Sequence, residues 1–291
     1  SLLYGWSGSL QIEAFGAALQ YSDPMAMAGA ALIVAALFLK AAVVPFHAWA
    51  PDAYEGASAP VTAFMATVIK AGVLLAALRI FGTTPVLQPM LGLVAVLPLL
   101  SMAWGNLAAI RQVSFRRMIA YSSIGHAGYL FYALLGDGDG RWQAIVFYVI
   151  AYGLMNLLAF AALPRGADDE RQDRLDALKG LYRRRPFAAV TIAIAMLSLA
   201  GLPPLPGFVA KFLVFKNVLA AGHTMYAVAG LVASYLGIYF YLRVIQYMFM
   251  AEQDPAAAHG SPRRYALAAS LLCLVPATLL MFFPGWLLER L

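Results

Sequence analysis

Long apolar runs separated by short polar breaks recur along the whole chain, and about 20 consecutive apolar residues are what a helix needs to cross a bilayer. On that pattern eight complete spans are expected, at about 25–47, 58–80, 86–108, 118–136, 142–163, 187–222, 225–250 and 264–288. The opening SLLYGW has no initiating methionine and reads as the tail of a further apolar helix at 1–6, so the true N-terminus is expected upstream. The predicted fold class is therefore all-α, a polytopic integral membrane protein of eight complete transmembrane helices plus the end of a ninth. These are expected to form a single transmembrane domain over residues 1–291, with a polar loop at 164–186.

Composition removes the soluble alternative. Hydrophobic residues make up 63% of the chain and charged ones 12%, against roughly 25% charged in soluble proteins, too few to cover a water-facing surface. One cysteine, Cys273, sits inside LLCLVPATLL, which excludes internal disulfides and cysteine-based metal sites. The net charge of +6 comes without a basic run interleaved with aromatics, so nucleic acid is not expected as a partner and the lipid bilayer is. Thirteen basic residues fall in loops on one side and three (Arg79, Arg141, Arg290) on the other. By the positive-inside rule the loops near 48–57, 109–117, 164–186 and 251–263 are cytoplasmic and the C-terminus lies outside. Alanine richness and this bias fit a bacterial inner membrane. The stretch at 164–186 mixes seven basic with five acidic residues and reads as a solvated connector with a short amphipathic helix.

Sixteen loop charges leave four, Lys40, Lys70, Lys211 and Lys216, all within apolar spans. A charge at the bilayer centre costs roughly 2.5–3.5 kcal/mol on insertion scales, so such residues usually face a polar interior and mark an ion path. The competing reading is snorkelling to the interface. It fits poorly for Lys40, about 10 Å along a helix from His47, and for Lys70, about 20 Å from the inner end of its span. For Lys216, one turn beyond Lys211, snorkelling or packing stands level with function. All four are lysines, whereas nearly every loop base is arginine. A desolvated lysine is able to exchange its proton near neutral pH, while arginine stays charged.

Two spans look broken. Pro45 and Pro51 follow Lys40 in KAAVVPFHAWAPD, and Pro203, Pro204, Pro206 and Gly207 precede Lys211 in LAGLPPLPGFVAKF. Prolines free carbonyls that a membrane tolerates only inside protein or beside water. Transporters use such breaks as ion sites, and purely structural helices are kinked by them too. His126 lies in YSSIGHAGYL one helical turn after Ser122, and an imidazole titrating near roughly pH 6.5 shuttles protons well. A histidine merely satisfied by a neighbouring hydroxyl or carbonyl is the other reading, and Ser122 and Ser123 are expected to bond back to the helix backbone. His47 is placed near the cytoplasmic mouth, where a proton-uptake role and an interfacial one are equally open. Tyr129, Tyr148, Tyr152 and Asn156 are candidates to line a channel, against the commoner packing role of membrane aromatics. Asp52 and Glu55 are expected to cap the start of the next helix. All fourteen acidic residues fall in loops or at ends, so Lys40 has no carboxylate partner in its own spans.

LKAAVVPFHAWAPDAYEGASAPVTAFMATVIKAG at 39–72 resembles the signature of the antiporter-like membrane subunits of respiratory complex I. GNLAAIRQVSFRRMIAYSSIGHAGYL at 105–130, AYGLMNLLAFAAL at 151–163 and LSLAGLPPLPGFVAKFLVF at 197–215 continue it in family order over nearly the whole chain. Among three paralogous subunits, the YEGASAPVTAF form, Lys211 rather than glutamate after the second break and no long lateral helix past Leu291 look most like the N type. The resemblance implies fourteen helices, of which this chain holds the end of the sixth and the seventh to fourteenth. A glutamate on an absent earlier helix would pair with Lys40.

Carried over, the resemblance implies that Lys40 is the input-side switch, Lys70 the central relay and Lys211 the site of outward release. Lys40 and Lys70 are staggered by about 10 Å, so water or a polar side chain must bridge them. The implied activity is proton translocation within NADH:quinone oxidoreductase, driven by redox chemistry elsewhere. The chain has no cysteine ligand set and no GxGxxG after a strand, so no cofactor is expected in it. NADH, flavin, iron–sulfur clusters and quinone are expected in partner subunits. Expected partners are the other membrane subunits of complex I, paralogues included. Two rival readings remain, a subunit of a multi-subunit cation/proton antiporter and a structural membrane scaffold whose lysines only hold neighbouring helices.

Overall fold

The computed structural model describes residues 1–12, 23–81, 88–136, 138–163, 173–250 and 264–291. In chain order the helices are α1 (Leu2–Ser7), α2 (Pro24–Ala41), α3 (Trp49–Gly56), α4 (Ala59–Phe81), α5 (Gln88–Ile110), α6 (Phe115–Tyr132) and α7 (Gly138–Ala162). They continue as α8 (Leu181–Arg184), α9 (Pro186–Ala200), α10 (Pro206–Ala220), α11 (Thr224–Tyr235), α12 (Ile238–Phe249), α13 (Arg264–Phe282) and α14 (Pro284–Leu288). Among the described residues the extended pairing amounts to a single bridge, Ser114 with Arg174. The all-α expectation therefore holds.

Among the described residues, five segments are long and apolar enough to cross a membrane: Pro24–Ala41, Ala59–Phe81, Met90–Ile110, Gly138–Ala162 and Thr224–Phe249. The other expected spans take different forms. The stretch 187–222 is two helices of 15 residues, α9 and α10. The stretch 264–288 is α13 followed by the short α14, and 118–136 falls on α6, which is buried along almost all of its length. Residues 251–263 and 164–172 lie outside the described ones. The rest of the polar connector forms one 3₁₀ turn at Leu175–Leu178 and the single turn of α8, in place of an amphipathic helix.

Small residues decide how closely the helices approach, as they do where lipid supplies no hydrophobic drive between helices. A Cβ on Gly105 of α5 would stand 2.6 Å from the backbone nitrogen of Gly125 of α6, and one on Gly128 would stand 2.5 Å from the Pro98 carbonyl oxygen. Only glycine lets these backbones touch, and the contact carries α6 into the interior. Helix α7 crosses the centre against α4, α9, α10 and α13, while α3 lies on α6 and α12 on α9.

Helix α2 stops where Ala42 takes φ 61, and the chain turns through Pro45 before α3 begins. The amide of Val44, freed by this turn, donates to Ser101 Oγ on α5 at 2.7 Å. Helix α9 stops where Gly201 takes φ 85, and α10 starts at Pro206. Gly207 sits so close to α9 that a Cβ there would lie 1.8 Å from the Ser198 carbonyl oxygen, while its amide donates to Ser198 Oγ at 3.0 Å. Both turns thus satisfy their freed backbone groups against neighbouring helices, as burial requires.

Candidate functional site

Lys70 is 4% exposed and begins the second half of α4, immediately after a π-helical turn at Met65–Ile69. Such turns re-aim the side chains that follow them. Its ammonium donates to the backbone carbonyl of Ser123 on α6. The Ser123 hydroxyl in turn lies 3.2 Å from the hydroxyl of Tyr54, a buried residue of α3.

Three residues further along α6, His126 uses both ring nitrogens. Nδ1 is 2.8 Å from Tyr148 OH on α7, and Nε2 is 3.0 Å from Tyr241 OH on α12. A neutral imidazole donates through one nitrogen and accepts through the other, so the two phenols take opposite roles. Tyr241 also hydrogen-bonds Ser122 Oγ. The rings of Tyr152 and Tyr129 close the remaining sides, with centroids 4.7 and 5.7 Å from the imidazole. His126 is thereby held by tyrosines from α6, α7 and α12, every one of them buried.

Another three residues along α6, Tyr129 meets Lys211. The lysine nitrogen stands 4.9 Å from the centre of the Tyr129 ring, within cation–π range. It also donates at 2.9 Å to the carbonyl of Ala200, the last residue of α9. The break between α9 and α10 supplies this acceptor, because a helix end leaves its last carbonyls without intrahelical partners. On the other side Asn106 Nδ2 of α5 reaches the Tyr129 hydroxyl at 3.5 Å and donates to the Ala233 carbonyl at 2.9 Å.

Ser123, His126 and Tyr129 thus step along α6 at about 4.5 Å each, with Lys70 at one end and Lys211 at the other. Lys70 meets this row at the Ser123 backbone carbonyl and Lys211 meets it at the face of the Tyr129 ring, while His126 between them is hydrogen-bonded to the Tyr148 and Tyr241 hydroxyls. Among the described residues neither lysine has a carboxylate on it; the acceptors are backbone carbonyls.

The other sequence candidates lie apart from this line. Lys40 is exposed in the last turn of α2 and makes no hydrogen bond or ion pair among the described residues. His47 sits in the turn between α2 and α3, its ring edge-on to Trp104 at 6.2 Å. Lys216 is exposed on α10, one turn beyond Lys211. Pro45 belongs to the first turn, and Pro203, Pro204, Pro206 and Gly207 to the second. Asn156 bonds back to the Tyr152 carbonyl.

Two expectations are corrected. Ser122 and Ser123 direct their hydroxyls to Tyr241 and Tyr54, neither to its own helix backbone. Asp52 and Glu55 leave the start of α4 without a side-chain cap and both reach Arg117, at 2.6 and 2.9 Å. They belong to a charged cluster at the loop end of the bundle, around a cleft of about 600 Å³. There Arg116 pairs with Asp173 at 3.0 Å, both side chains nearly inaccessible, and Ser114 Oγ donates to the same carboxylate. Burial pushes the Asp173 carboxyl above the usual carboxylate range, an effect partly offset by the Ser114 hydroxyl and the Arg116 guanidinium.

Tyr241, Tyr54 and Asn106 were missed in the sequence. A signal for Tyr241 was present: in IYFYLRVIQYMF the buried positions Phe240, Tyr241, Val244 and Met248 share one helical face, opposite the polar Arg243 and Gln246. Nothing local marks Tyr54 or Asn106. Among the described residues no three His, Cys, Asp or Glu side chains come together.

The chain is similar to proteins of known assignment along its whole length. It is 42% identical over 287 residues to NADH-quinone oxidoreductase subunit N of Pelobacter propionicus, covering 98% of this chain and 62% of that protein. To the subunit N of Geobacter metallireducens it is 38% identical, covering 98% and 60%. The chain therefore spans about three fifths of the length of these relatives. Among solved structures, a chain of respiratory complex I from Thermus thermophilus matches with TM-score 0.82 and 38% identity, over 99% of this chain and 63% of that one. A chain of the Mrp complex from Dietzia sp. DQ12-45-1b matches with TM-score 0.83 and 26% identity, over 99% and 62%. The family profile described as NADH:quinone oxidoreductase/Mrp antiporter, transmembrane, matches residues 1–237, and this chain belongs to that family.

Proposed function

We propose that this chain is the proton-translocating portion of an N-type subunit of NADH:quinone oxidoreductase. The observation that carries the reading is the buried row of Lys70, Ser123, His126, Tyr129 and Lys211, whose partners among the described residues are neutral. A lysine facing only carbonyls and an aromatic ring is free to load and release a proton. One locked to a carboxylate is not.

In this reading Lys70 is the central store, His126 and its tyrosines pass the proton, and Lys211 releases it. The Tyr54–Ser123 contact is the side from which Lys70 is loaded, with His47 nearer the mouth and Ser122 setting Tyr241. Lys40 is the input-side switch, its counter-charge supplied by a segment outside this chain or by another subunit. The turns at Pro45 and at Pro203–Gly207 interrupt two membrane helices, and the eight spans form one domain in a bacterial inner membrane. The loops at 109–117 and 164–186 are cytoplasmic and the C-terminus periplasmic, as the basic-residue bias supports. NADH, flavin, iron–sulfur clusters and quinone belong to partner subunits, whose redox chemistry drives the transfer.

The test is neutral substitution in the intact assembly. Lys70→Met and Lys211→Met are each expected to abolish NADH-driven proton pumping while the complex still assembles. Intact pumping in a destabilised complex would instead establish the scaffold reading. The likeness to the Dietzia Mrp complex favours a second reading, a cation/proton antiporter subunit. It wins if the full-length protein purifies only with other membrane subunits and without NADH-driven quinone reduction.

A further inference from the structure

On the flank of α10 and α11 a cavity of about 590 Å³ opens beside Lys211 and runs toward the turn that joins the two helices. Phe208, Phe212 and Leu219 of α10 form one wall, Val228 and Leu231 of α11 the other, and Ala200 and Gly201 the inner end. These five walling residues are 38–54% exposed, uncovered by the described residues of this chain. From Phe208 to Leu219 the groove is about 16 Å long, close to half of a hydrocarbon core about 30 Å thick.

Among the described residues two lysines line it, Lys211 buried at the inner end and Lys216 toward the outer one. Lys216 lines the same cavity, is exposed, and makes no ion pair or hydrogen bond among the described residues. It is four residues, about 6 Å, from the end of α10 at Ala220. Its stem is long enough to bring the ammonium to the headgroup level. Among the described residues no acidic side chain lines the groove.

The polarity profile is therefore an exposed ammonium at the interfacial end and an apolar, aromatic-ribbed wall for one leaflet below it, with Lys211 buried at the inner end. We infer that this groove is a binding site for one anionic phospholipid, its phosphate on Lys216 and an acyl chain lying between Phe212 and Leu231 with its end against Gly201. Charge complementarity selects the occupant, since basic pockets between membrane helices bind anionic headgroups. A zwitterionic lipid gains less from Lys216. A protein helix would need to bring an acid to the same point. Seated there, the acyl chain keeps lipid-side water from the flank of Lys211.

The full-length protein in its native assembly, stripped of loosely held lipid, is titrated with phosphatidylglycerol or phosphatidylcholine and followed by native mass spectrometry. One phosphatidylglycerol per copy is expected to outlast phosphatidylcholine. Lys216→Ala should weaken its retention about fivefold, the loss of one lysine near an anionic headgroup, and Lys216→Arg should restore it. Leu231→Trp, which fills the groove without touching the charge, should displace the lipid in either background. A photo-crosslinker placed at Phe212 in native membranes should give a lipid-sized adduct. Equal retention of both lipids, indifference to Lys216→Ala, or a protein-sized adduct at Phe212 would each overturn the inference. None of these readouts depends on proton pumping, so the outcome is separate from the functional reading above.

Discussion

The two charged regions of the molecule solve the same problem in opposite ways. At the loop end, Arg116 is locked to Asp173, and Arg117 to Asp52 and Glu55. In the interior, Lys70 and Lys211 are buried too, yet among the described residues each has only a carbonyl, and Lys211 a tyrosine ring, for company. A paired arginine keeps its charge whatever happens around it. A lysine with neutral partners changes charge when its surroundings change, because nothing fixed compensates the proton. The first arrangement holds a loop onto a helix, and the second is suited to moving protons. Residue type tracks the division: arginine where charge is structural, lysine where the line runs.

Substitutions at four positions sharpen this contrast. The largest effect is expected at Lys70, where methionine should reduce pumping to background in reconstituted vesicles. Arginine at the same position should do the same, since it retains the charge but does not give up a proton; pumping preserved by Lys70→Arg would break the comparison. Next comes Asp173→Ala, which strands Arg116 as an uncompensated buried charge and should cost about 3–5 kcal/mol, read from denaturation in detergent. A smaller loss is expected for Tyr241→Phe, which removes the hydroxyl shared by His126 and Ser122. One unsatisfied buried partner costs about 1–3 kcal/mol, and pumping should slow while quinone reduction by the assembled complex stays coupled to whatever transfer remains. The smallest effect belongs to Arg117→Ala: its pairs with Asp52 and Glu55 are partly exposed, and such bridges contribute about 0–1 kcal/mol. A larger loss there than at Asp173 would invert the ranking by burial on which the comparison rests.

Much of the candidate site could be read from the sequence because membrane burial makes charge conspicuous. Lys70 and Lys211 stood out against apolar spans, and the glycine and proline clusters beside Lys40 and Lys211 marked where helices end. His126 was visible for the same reason. Its partners were not: Tyr148 was one of several aromatics in α7, and Tyr241 lies 115 residues from His126 along the chain. The acceptors of the two lysines are backbone carbonyls, which carry no residue signature. Lys216 shows the limit from the other side, since the sequence marked it as a membrane lysine without distinguishing an inward from an outward face.

The sequence by itself determined that this chain is helical and membrane-embedded, and which positions carry charge inside the apolar spans. Hydrophobic run length and the cost of an intramembrane charge are local properties, legible one segment at a time. Only the tertiary structure decided which polar groups meet. The close approach of α5 and α6 at Gly105 and Gly128 carries Ser123, His126 and Tyr129 to the centre, and the π-helical turn before Lys70 aims its ammonium at them. Those contacts join residues from five helices, and their geometry follows from how backbones pack against one another, which no single segment of the sequence encodes.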